Sequence, residues 1–320
     1  YRAGRPRRRY EAAERPRLSA TPDRSVYGDR RYLPIHLVEF SRGCRFRCDF
    51  CAIQSFFHST CSHRPVELVL EEIRQLGTGR RMIFFIDDNI TSGTEEAKAL
   101  LRALIPLNVR WVSQTAINAA YDEELLRLMR RSGCQGVLVG LESLVPESLQ
   151  EMNKGFNLMR GGPAEALANF RRHGLIVYGT FVFGYDHDTP ASIRETVAFA
   201  QRERLFIAAF NHITPFPGTP LFERLRSQRR LLHEAWWLDP AYRYNMIPFR
   251  PEGFEPDALA EACVAARRRF YGWRSILRRA RGPNVRSAFL LRNFFLINAM
   301  HQADVQRRNG LPLGDLNDVQ

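Results

Sequence analysis

Lysine is nearly absent from this sequence. Lys98 and Lys154 are the only two, although Lys and Arg together number 47 and the net charge is +13. All other basic residues are arginines, scattered along most of the predicted helices, as a general compositional bias toward arginine would produce. Net charge by itself reports solubility and non-specific binding. We therefore do not expect a nucleic-acid groove, although the charge alone would invite that interpretation.

Long hydrophobic runs are absent as well. No stretch approaches the roughly 20 apolar residues of a membrane-spanning helix, and no signal peptide is recognisable. The six cysteines show no spacing typical of a disulfide framework, so we expect a reducing, cytoplasmic location. The sequence begins at Tyr1 rather than Met, which indicates a fragment or a processed form.

The chain divides into four predicted parts. Residues 1–33 are rich in Arg and Pro, lack apolar periodicity and are predicted to form an arm or linker. Residues 34–222 alternate short apolar runs with segments of helical spacing. The runs that predict strands cover 35–40, 82–86, 109–113, 136–141, 175–184 and 206–213. The segments that predict helices cover 66–76, 94–104, 122–132, 161–173 and 189–204. A helical cap is predicted over 223–301 and a polar tail over 302–320.

Six short strands alternating with five helices predict an α/β fold with a parallel sheet. Six units are too few for an eight-stranded barrel, so we expect a partial (β/α)6 barrel with a C-terminal helical cap. In parallel α/β folds the chemistry collects where the strands end. Polar or unusual residues do end or follow the predicted strands in this sequence: Cys44, Asp87-Asp88-Asn89, Ser113, Glu142, Gly184 and Thr214.

Three of the cysteines stand within eight residues, in the stretch SRGCRFRCDFC that runs from Ser41 to Cys51. Thiolates ligate soft metals, so this cluster predicts either zinc or an iron–sulfur cluster. Structural zinc takes four ligands, commonly from two separated pairs. The sequence has no second pair, and nothing in the spacing of Cys61 and His63 favours their completing a zinc site. A [4Fe–4S] cluster held by three cysteines keeps one iron open for chemistry, and we favour this interpretation.

The CxxxCxxC spacing, with Phe50 before the last cysteine and on a loop after the first strand, resembles the radical S-adenosylmethionine (radical SAM) superfamily. The resemblance covers about residues 33–222. It implies that Cys44, Cys48 and Cys51 are the cluster ligands and that SAM chelates the fourth iron. It further implies cleavage of SAM to a 5′-deoxyadenosyl radical that abstracts hydrogen from a substrate, with electrons from a donor such as flavodoxin or ferredoxin.

The resemblance extends to the ends of the second and fourth strands. The segment FFIDDN resembles the family's acceptors for the SAM amino group, which implies this role for Asp87, Asp88 or Asn89. The segments GLES and MNKGFN imply that Glu142 binds the ribose hydroxyls and that Lys154 pairs with the SAM carboxylate. Each has a structural alternative, because a carboxylate run also forms ordinary turns and Glu142 could pair with a surface arginine.

Further cofactor contacts are implied by position. The segment TPFPGTPL resembles the turn that meets adenine after the sixth strand, and FVFGYDHDT occupies the fifth-strand position. Asp188 and His187 there replace a Glu and a Gly of the family pattern, which weakens the adenine assignment. The additional residues implied to contact the cofactor are Phe50, Ser113, Gly184, Thr214 and Pro215.

These motifs together most resemble radical SAM proteins with an N-terminal cobalamin-binding domain, such as magnesium-protoporphyrin ester cyclase relatives and hopanoid C-methylases. The resemblance implies methylation or other C–H functionalisation of a large apolar, lipid- or tetrapyrrole-like substrate. An Asp-x-His-x-x-Gly cobalamin motif does not occur in the sequence. Cobalamin would therefore require an upstream domain absent from this chain, or the protein works without it.

Two alternatives and one further expectation accompany this interpretation. A tRNA methylthiotransferase-like enzyme shares the barrel but needs an additional three-cysteine domain and a basic β-barrel. A metal-stabilised, arginine-rich RNA-binding module does not explain the polar residues at every strand end. Residues 286–300 place apolar side chains beside arginines, a pattern that can sit at a membrane surface but more often packs on its own domain.

Overall fold

The computed structural model describes residues 21–27, 35–76, 82–242, 246–282, 285 and 287–307. The strands within these ranges are β1 (Ile35–Val38), β2 (Ser41–Gly43), β3 (Cys61–His63), β4 (Met82–Phe85), β5 (Arg110–Thr115), β6 (Cys134–Glu142), β7 (Ile176–Phe183) and β8 (Ile207–His212). The α-helices are α1 (Ala52–Phe57), α2 (Val66–Gln75), α3 (Thr94–Leu104), α4 (Glu123–Arg131), α5 (Pro146–Glu151), α6 (Gly162–Arg172), α7 (Pro190–Arg202), α8 (Pro220–Ser227), α9 (Pro256–Tyr271), α10 (Trp273–Ala280) and α11 (Ala288–Arg307).

Six of the described strands form one parallel sheet in the order β1-β4-β5-β6-β7-β8. Each new strand is therefore added beside the preceding one, with helices in the connections, as successive βα units require. The strands β2 and β3 pair antiparallel as a separate hairpin. This arrangement confirms the predicted α/β partial barrel.

The core of the sheet is made of aromatic and branched side chains from alternating strand positions. Along β7, alternate residues are buried, as the two-residue period of a strand dictates. Phe181 stacks on Phe210 of β8 with ring centroids 5.5 Å apart, and Phe85 meets Trp111 edge-on at 5.6 Å. The Trp111 indole also donates to the carbonyl of Ser132 at 3.1 Å, so its polar atom is satisfied inside the core.

The predicted strands and the five predicted helices agree with the observed ones to within two residues at each end. The β2–β3 hairpin, α1 and α5 were not predicted from the sequence. These elements have three to six residues, too few for an apolar period to repeat. Capping residues predicted where helices begin. At the start of α4, for example, the Asp122 side chain accepts a hydrogen bond from the Leu125 amide at 2.9 Å.

Two predicted domain boundaries fall inside helices. Helix α8 crosses the predicted boundary between residues 222 and 223, and α11 continues to Arg307, past residue 301. Part of the predicted N-terminal arm is attached to the barrel, because Arg24 donates to the carbonyl of Leu37 at 2.5 Å and pairs with Glu72 at 2.6 Å. Most of the predicted arm and residues 308–320 of the predicted tail lie outside the described residues.

The helices after β8 pack against the sheet. The Tyr271 hydroxyl, at the end of α9, donates to the carbonyl of Ala208 at 2.7 Å and accepts from the Ala208 amide at 3.2 Å. In the described part of the chain, no helix combines the length and the apolar character that crossing a bilayer requires.

Candidate metal and cofactor site

The three clustered cysteines lie on one loop between β2 and α1. Cys48 is buried, whereas Cys44 and Cys51 are half-buried. The Cys51 amide donates to the Cys48 carbonyl at 3.2 Å, and Cys51 directly precedes α1. Just before the loop, Gly43 has φ +89°, and a Cβ there would lie 2.2 Å from the Thr60 carbonyl oxygen. Glycine is therefore required for the loop to begin so close to the chain that returns into β3.

The polar residues after β4 hold this loop in place. Asp87 is fully buried and accepts from the Phe40 amide at 3.2 Å, from the Ser41 hydroxyl at 2.5 Å and from the Ser41 amide. The Asp88 carboxylate accepts from the Gly43 amide at 2.8 Å. The Asn89 side-chain nitrogen lies 3.7 Å from Sγ of Cys44. The segment predicted to bind the SAM amino group thus anchors the cysteine loop, and only Asp88 and Asn89 reach the residues next to Cys44.

Burial raises the pKa of the Asp87 carboxyl to about 6. The hydrogen bonds from Ser41 and Phe40 act in the opposite direction, because they stabilise the ionised form. The effect of burial on the pKa of Asp87 is larger than the effect of these hydrogen bonds. This environment suits a group that organises the loop better than one that meets a solvent-facing ligand.

At the end of β6, Glu142 and Lys154 form a buried ion pair, with Nζ of Lys154 2.7 Å from Oε1 of Glu142. Glu142 has φ +60° and lies at a register shift in the pairing with β7, which turns its side chain out of the regular strand pattern. Lys154 also donates to the carbonyl of Gly140 at 3.1 Å. A Cβ at Gly140 would lie 2.1 Å from Oε1 of Glu142 and 2.8 Å from Nζ of Lys154. The absence of a side chain at residue 140 therefore makes room for the pair.

This ion pair lies in the electrostatic environment of the cysteines. Burial raises the pKa of the Cys48 thiol to about 12, and the Lys154 ammonium partly opposes that rise. Burial alone would lower the pKa of Lys154, yet Glu142 and Cys48 hold it above its ordinary value. Lys154 is therefore a buried cation beside both a carboxylate and the thiol loop. Its charge favours thiolates and an anionic ligand group, although burial of Cys48 acts more strongly in the opposite direction.

Asp49, between the second and third cysteines, was not singled out by the sequence reading. It is buried and accepts a hydrogen bond from the Tyr185 hydroxyl at 2.5 Å. Arg224 of α8 lies 3.5 Å from its other oxygen and pairs with Glu151 at 2.7 Å. Burial raises the pKa of Asp49, although Tyr185 and Arg224 oppose that rise. Asp49 thus ties the cysteine loop to the segment after β7 and to α8. A polar residue between two candidate ligands was the only available signal.

The other predicted cofactor contacts have mixed surroundings. Phe50 meets Tyr185 edge-on at 6.5 Å, and the Ser113 hydroxyl donates to the Phe85 carbonyl at 2.8 Å within the sheet. Gly184 has φ +111° and donates its amide to Asp188 at 2.9 Å. A Cβ at Gly184 would lie 2.8 Å from Cδ2 of Leu259, so packing against α9 already explains this glycine.

The turn after β8 is contacted by residues that come later in the chain. The carbonyl of Pro215 accepts from the Trp236 indole at 3.1 Å, and Thr214 beside it is half-buried. Thr219 then caps α8 by accepting from the Phe222 amide at 3.2 Å. The position of Thr214 and Pro215 immediately after a strand of the sheet is consistent with their predicted role, and the backbone there is fixed.

Three thiols on one loop are a donor set that suits an iron–sulfur cluster with one open iron. A zinc ion needs its ligands about 2.0–2.3 Å from one centre. Among the described residues, no three or more His, Cys, Asp and Glu side chains converge closely enough for that. Cys61 and His63 approach each other at 3.6 Å without a third partner at such a centre. Ligands of a [4Fe–4S] cluster bind different irons and stand farther apart, as thiols on separate positions of one loop can.

The fold and this loop define a class of proteins: parallel α/β partial barrels with a three-cysteine loop between the first and second strands of the parallel sheet. A model of the radical SAM superfamily matches residues 38–200. The chain belongs to the radical SAM superfamily.

Individual relatives agree with this assignment. Bacteriochlorophyllide d C-12(1)-methyltransferase of Chlorobaculum tepidum is 31% identical over 257 residues, which make up 79% of this chain and 55% of that protein. Anaerobic magnesium-protoporphyrin IX monomethyl ester cyclase of Cereibacter sphaeroides is 25% identical over 289 residues, 85% of this chain and 46% of that protein. This chain therefore spans about half the length of these curated relatives.

Among solved structures, the cobalamin-dependent S-adenosylmethionine radical enzyme OxsB has a similar fold. The TM-score is 0.57 at 12% identity, and the match covers 85% of this chain and 46% of that one. At this identity the likeness concerns the fold alone.

Proposed function

We propose that this chain is the catalytic core of a radical SAM enzyme that methylates, or otherwise functionalises a C–H bond of, a large apolar substrate. The observation that carries the proposal is the loop of Cys44, Cys48 and Cys51 beside the buried Glu142–Lys154 pair. When bound, a reduced [4Fe–4S] cluster supplies the electron that cleaves SAM to a 5′-deoxyadenosyl radical. All other roles below belong to residues of this chain.

In this proposal Cys44, Cys48 and Cys51 hold the cluster as thiolates. The Lys154 ammonium favours those thiolates and pairs with the carboxylate of SAM. Asp88 and Asn89, which contact the loop next to Cys44, accept from the SAM amino group, because an ammonium near an apolar barrel requires a partner. Asp87 serves the loop rather than the ligand.

The remaining contacts complete the cofactor site. Glu142 binds the ribose hydroxyls, and the backbone of Thr214 and Pro215 meets the adenine. Further proposed contacts with SAM are Phe50, Ser113 and Gly184. The assignment of Gly184 has the least support, since its packing against Leu259 already explains why residue 184 is a glycine.

The substrate class rests on the relatives. The two curated relatives described above act on a bacteriochlorophyllide and on a magnesium-protoporphyrin ester, both of which are large tetrapyrroles. We therefore propose a tetrapyrrole-like or lipid-like substrate. The tRNA methylthiotransferase-like alternative is less favoured, because the described residues after β8 form helices instead of a basic β-barrel.

Three partners remain part of the proposal. An electron donor such as flavodoxin or ferredoxin reduces the cluster, and cobalamin participates if an upstream domain supplies its site. A membrane surface is the third, since α11 exposes Phe289, Leu296 and Met300 at helical spacing on one side, with Arg292 among them. Retention of the chain in the supernatant with anionic liposomes at low salt contradicts the membrane interaction.

The proposal is tested by anaerobic purification and reconstitution with iron and sulfide. We expect a brown protein that is bleached by dithionite and that releases 5′-deoxyadenosine from SAM. Cys48→Ala is the matched control and should do neither. A colourless protein that retains zinc instead of iron and sulfide would refute the proposal.

A further inference from the structure

A cavity lies where α9 meets α10, and arginines line it. Its volume is about 610 Å³, and Arg268, Arg269, Arg274 and Arg278 contribute to its wall. All four are exposed at the surface. A cavity of this size is in the range that holds small organic ligands. No aspartate or glutamate belongs to its lining.

These like charges have little local compensation. Arg274 and Arg278 are four residues apart on α10, a spacing at which equal charges repel each other. Within the part of the chain that the structure describes, Arg269, Arg274 and Arg278 have no carboxylate partner within 4.0 Å. By contrast, many arginines elsewhere are paired, as Arg171 is with Glu203 at 3.1 Å. Arg269, Arg274 and Arg278 thus form a local concentration of positive charge without a paired carboxylate in the described part of the chain.

A fifth arginine of the lining, Arg279, is buried and adds to this charge. Arg279 is only 1% exposed, and its guanidinium donates to the carbonyls of Leu205 and Phe270 and to the side chain of Asn298. These partners are neutral, and the ring of Phe270 lies 3.8 Å from the guanidinium carbon. Its hydrogen bonds are satisfied, yet among the described residues no carboxylate pairs with it.

We propose that this arginine-lined cavity binds a phosphate group, in a site separate from the cysteine loop. A phosphate carries up to two negative charges on three acceptor oxygens, and arginine forks bind it through paired hydrogen bonds. A single carboxylate would neutralise the cavity less completely. The half-exposed Trp273 at its rim offers an apolar surface for whatever bears the phosphate.

The position of the cavity supports this separation. Arg279 binds the carbonyls of Leu205 and Phe206, immediately before β8 begins. The cysteine loop and the turn at Thr214 lie beyond the opposite end of the strands. A six-residue strand spans about 20 Å. The cavity therefore does not belong to the cofactor site, and the proposal does not depend on the proposed reaction.

Titration calorimetry of the full chain with inorganic pyrophosphate tests the site. The double variant Arg274→Gln/Arg278→Gln removes two exposed guanidinium groups from the cavity. Arg127→Gln/Arg131→Gln is the matched control, because it removes two exposed arginines with the same spacing from α4. We expect the α10 variant to weaken pyrophosphate binding at least about tenfold, and the control to leave it unchanged. If the α10 double variant unfolds, its two single variants provide the same comparison.

Vesicles distinguish a lipid headgroup from a free phosphate compound. If the phosphate comes from lipid, phosphatidylcholine vesicles that contain phosphatidic acid should bind the wild-type protein. The same vesicles should not bind the α10 double variant. Binding of pyrophosphate without vesicle binding indicates a free phosphate compound. If the wild-type protein binds neither probe, the cavity is not a phosphate site. If both variants lose binding equally, general surface charge explains the binding. Either result overturns the proposal.

Discussion

The ammonium of Lys154 lies 2.7 Å from Oε1 of Glu142, and each of the two side chains is only 9% exposed. The sequence pattern assigned each residue to a different part of SAM, but the structure gives each one the other as its partner. A buried ion pair is costly to break, since removal of one member leaves an unpaired charge inside the protein. Variants of either residue therefore change both the fold and the proposed ligand site, and the experiment must separate these effects.

The double variant Glu142→Gln/Lys154→Met separates them. We expect each single variant to lower the free energy of unfolding by about 3 kcal/mol, and the double variant to recover part of this loss. In cluster-loaded protein, the double variant should still bind SAM more weakly, by about 1.5–3 kcal/mol for each charge-assisted hydrogen bond lost. Denaturant unfolding and calorimetric SAM titration measure the two effects. If the double variant is stable and binds SAM with wild-type affinity, the Glu142–Lys154 pair has only a structural role.

Cysteine variants test the cluster ligands. We expect Cys44→Ala, Cys48→Ala and Cys51→Ala each to lower the iron and sulfide content after reconstitution, because each removes one of three thiolates. Cys61→Ala is the matched control, as Cys61 is a half-buried cysteine on the neighbouring strand β3. Undiminished iron in Cys48→Ala, or an equal loss in Cys61→Ala, would exclude this ligand assignment.

The strand ends illustrate how far the sequence could predict the site. Apolar runs and caps located the parallel strands, and parallel strands bring their carboxyl ends to one edge. Cys44, Asp88 and Asn89 could thus be expected near one another. In the structure Asn89 lies beside Sγ of Cys44, and Asp88 binds the amide of the neighbouring Gly43. Contacts between individual side chains could not be predicted in this way, because they depend on three-dimensional distances that the spacing of residues in the sequence does not determine.

Asp49 and Asp87 show this limit most clearly. Nothing in the sequence connects Asp49 with Tyr185, which is 136 residues away. Asp87 resembled a ligand contact because of its position after a strand. Only the three-dimensional structure reveals that the amides of Phe40 and Ser41 and the Ser41 hydroxyl, at the start of β2, already bind its carboxylate.

Tyr185→Phe tests whether Asp49 anchors the cysteine loop. The change removes the 2.5 Å hydrogen bond to a buried carboxylate, so we expect a loss of about 1.5–3 kcal/mol in the free energy of unfolding. Tyr178→Phe is the matched control, because no hydrogen bond involves its hydroxyl among the described residues. Urea unfolding measures both variants. Equal stability of the two variants would show that the contact with Asp49 contributes nothing.

Asp87 should make stability depend on pH. Burial raises its folded-state pKa to about 6, above the value of 3.8 for an unperturbed Asp. The folded protein therefore binds this proton more tightly than the unfolded chain. Its contribution to stability is present below about pH 4 and is lost as pH rises through about 6, by up to about 3 kcal/mol.

The comparison of wild type with Asp87→Asn isolates this contribution. The variant loses a hydrogen-bond acceptor at every pH, which adds a constant difference in the free energy of unfolding. The pH-dependent part should appear as a wild-type advantage that declines between about pH 4 and 6. Urea unfolding of the cluster-free protein at several pH values measures it. A difference that is independent of pH, or that grows toward neutral pH, contradicts the raised pKa.

Gly140→Ala tests the space that the Glu142–Lys154 pair occupies. The added Cβ would lie 2.1 Å from Oε1 of Glu142 and 2.8 Å from Nζ of Lys154. Because both side chains are buried and bonded to each other, they have little freedom to move aside, and we expect a loss of about 1–3 kcal/mol in the free energy of unfolding. Gly155→Ala, one residue after Lys154, is the matched control. A Cβ there meets nothing within 4 Å, so this variant should be neutral or more stable by up to about 1 kcal/mol. Urea unfolding compares the two, and a Gly140→Ala protein as stable as Gly155→Ala would mean that the pair does not need the space left by glycine.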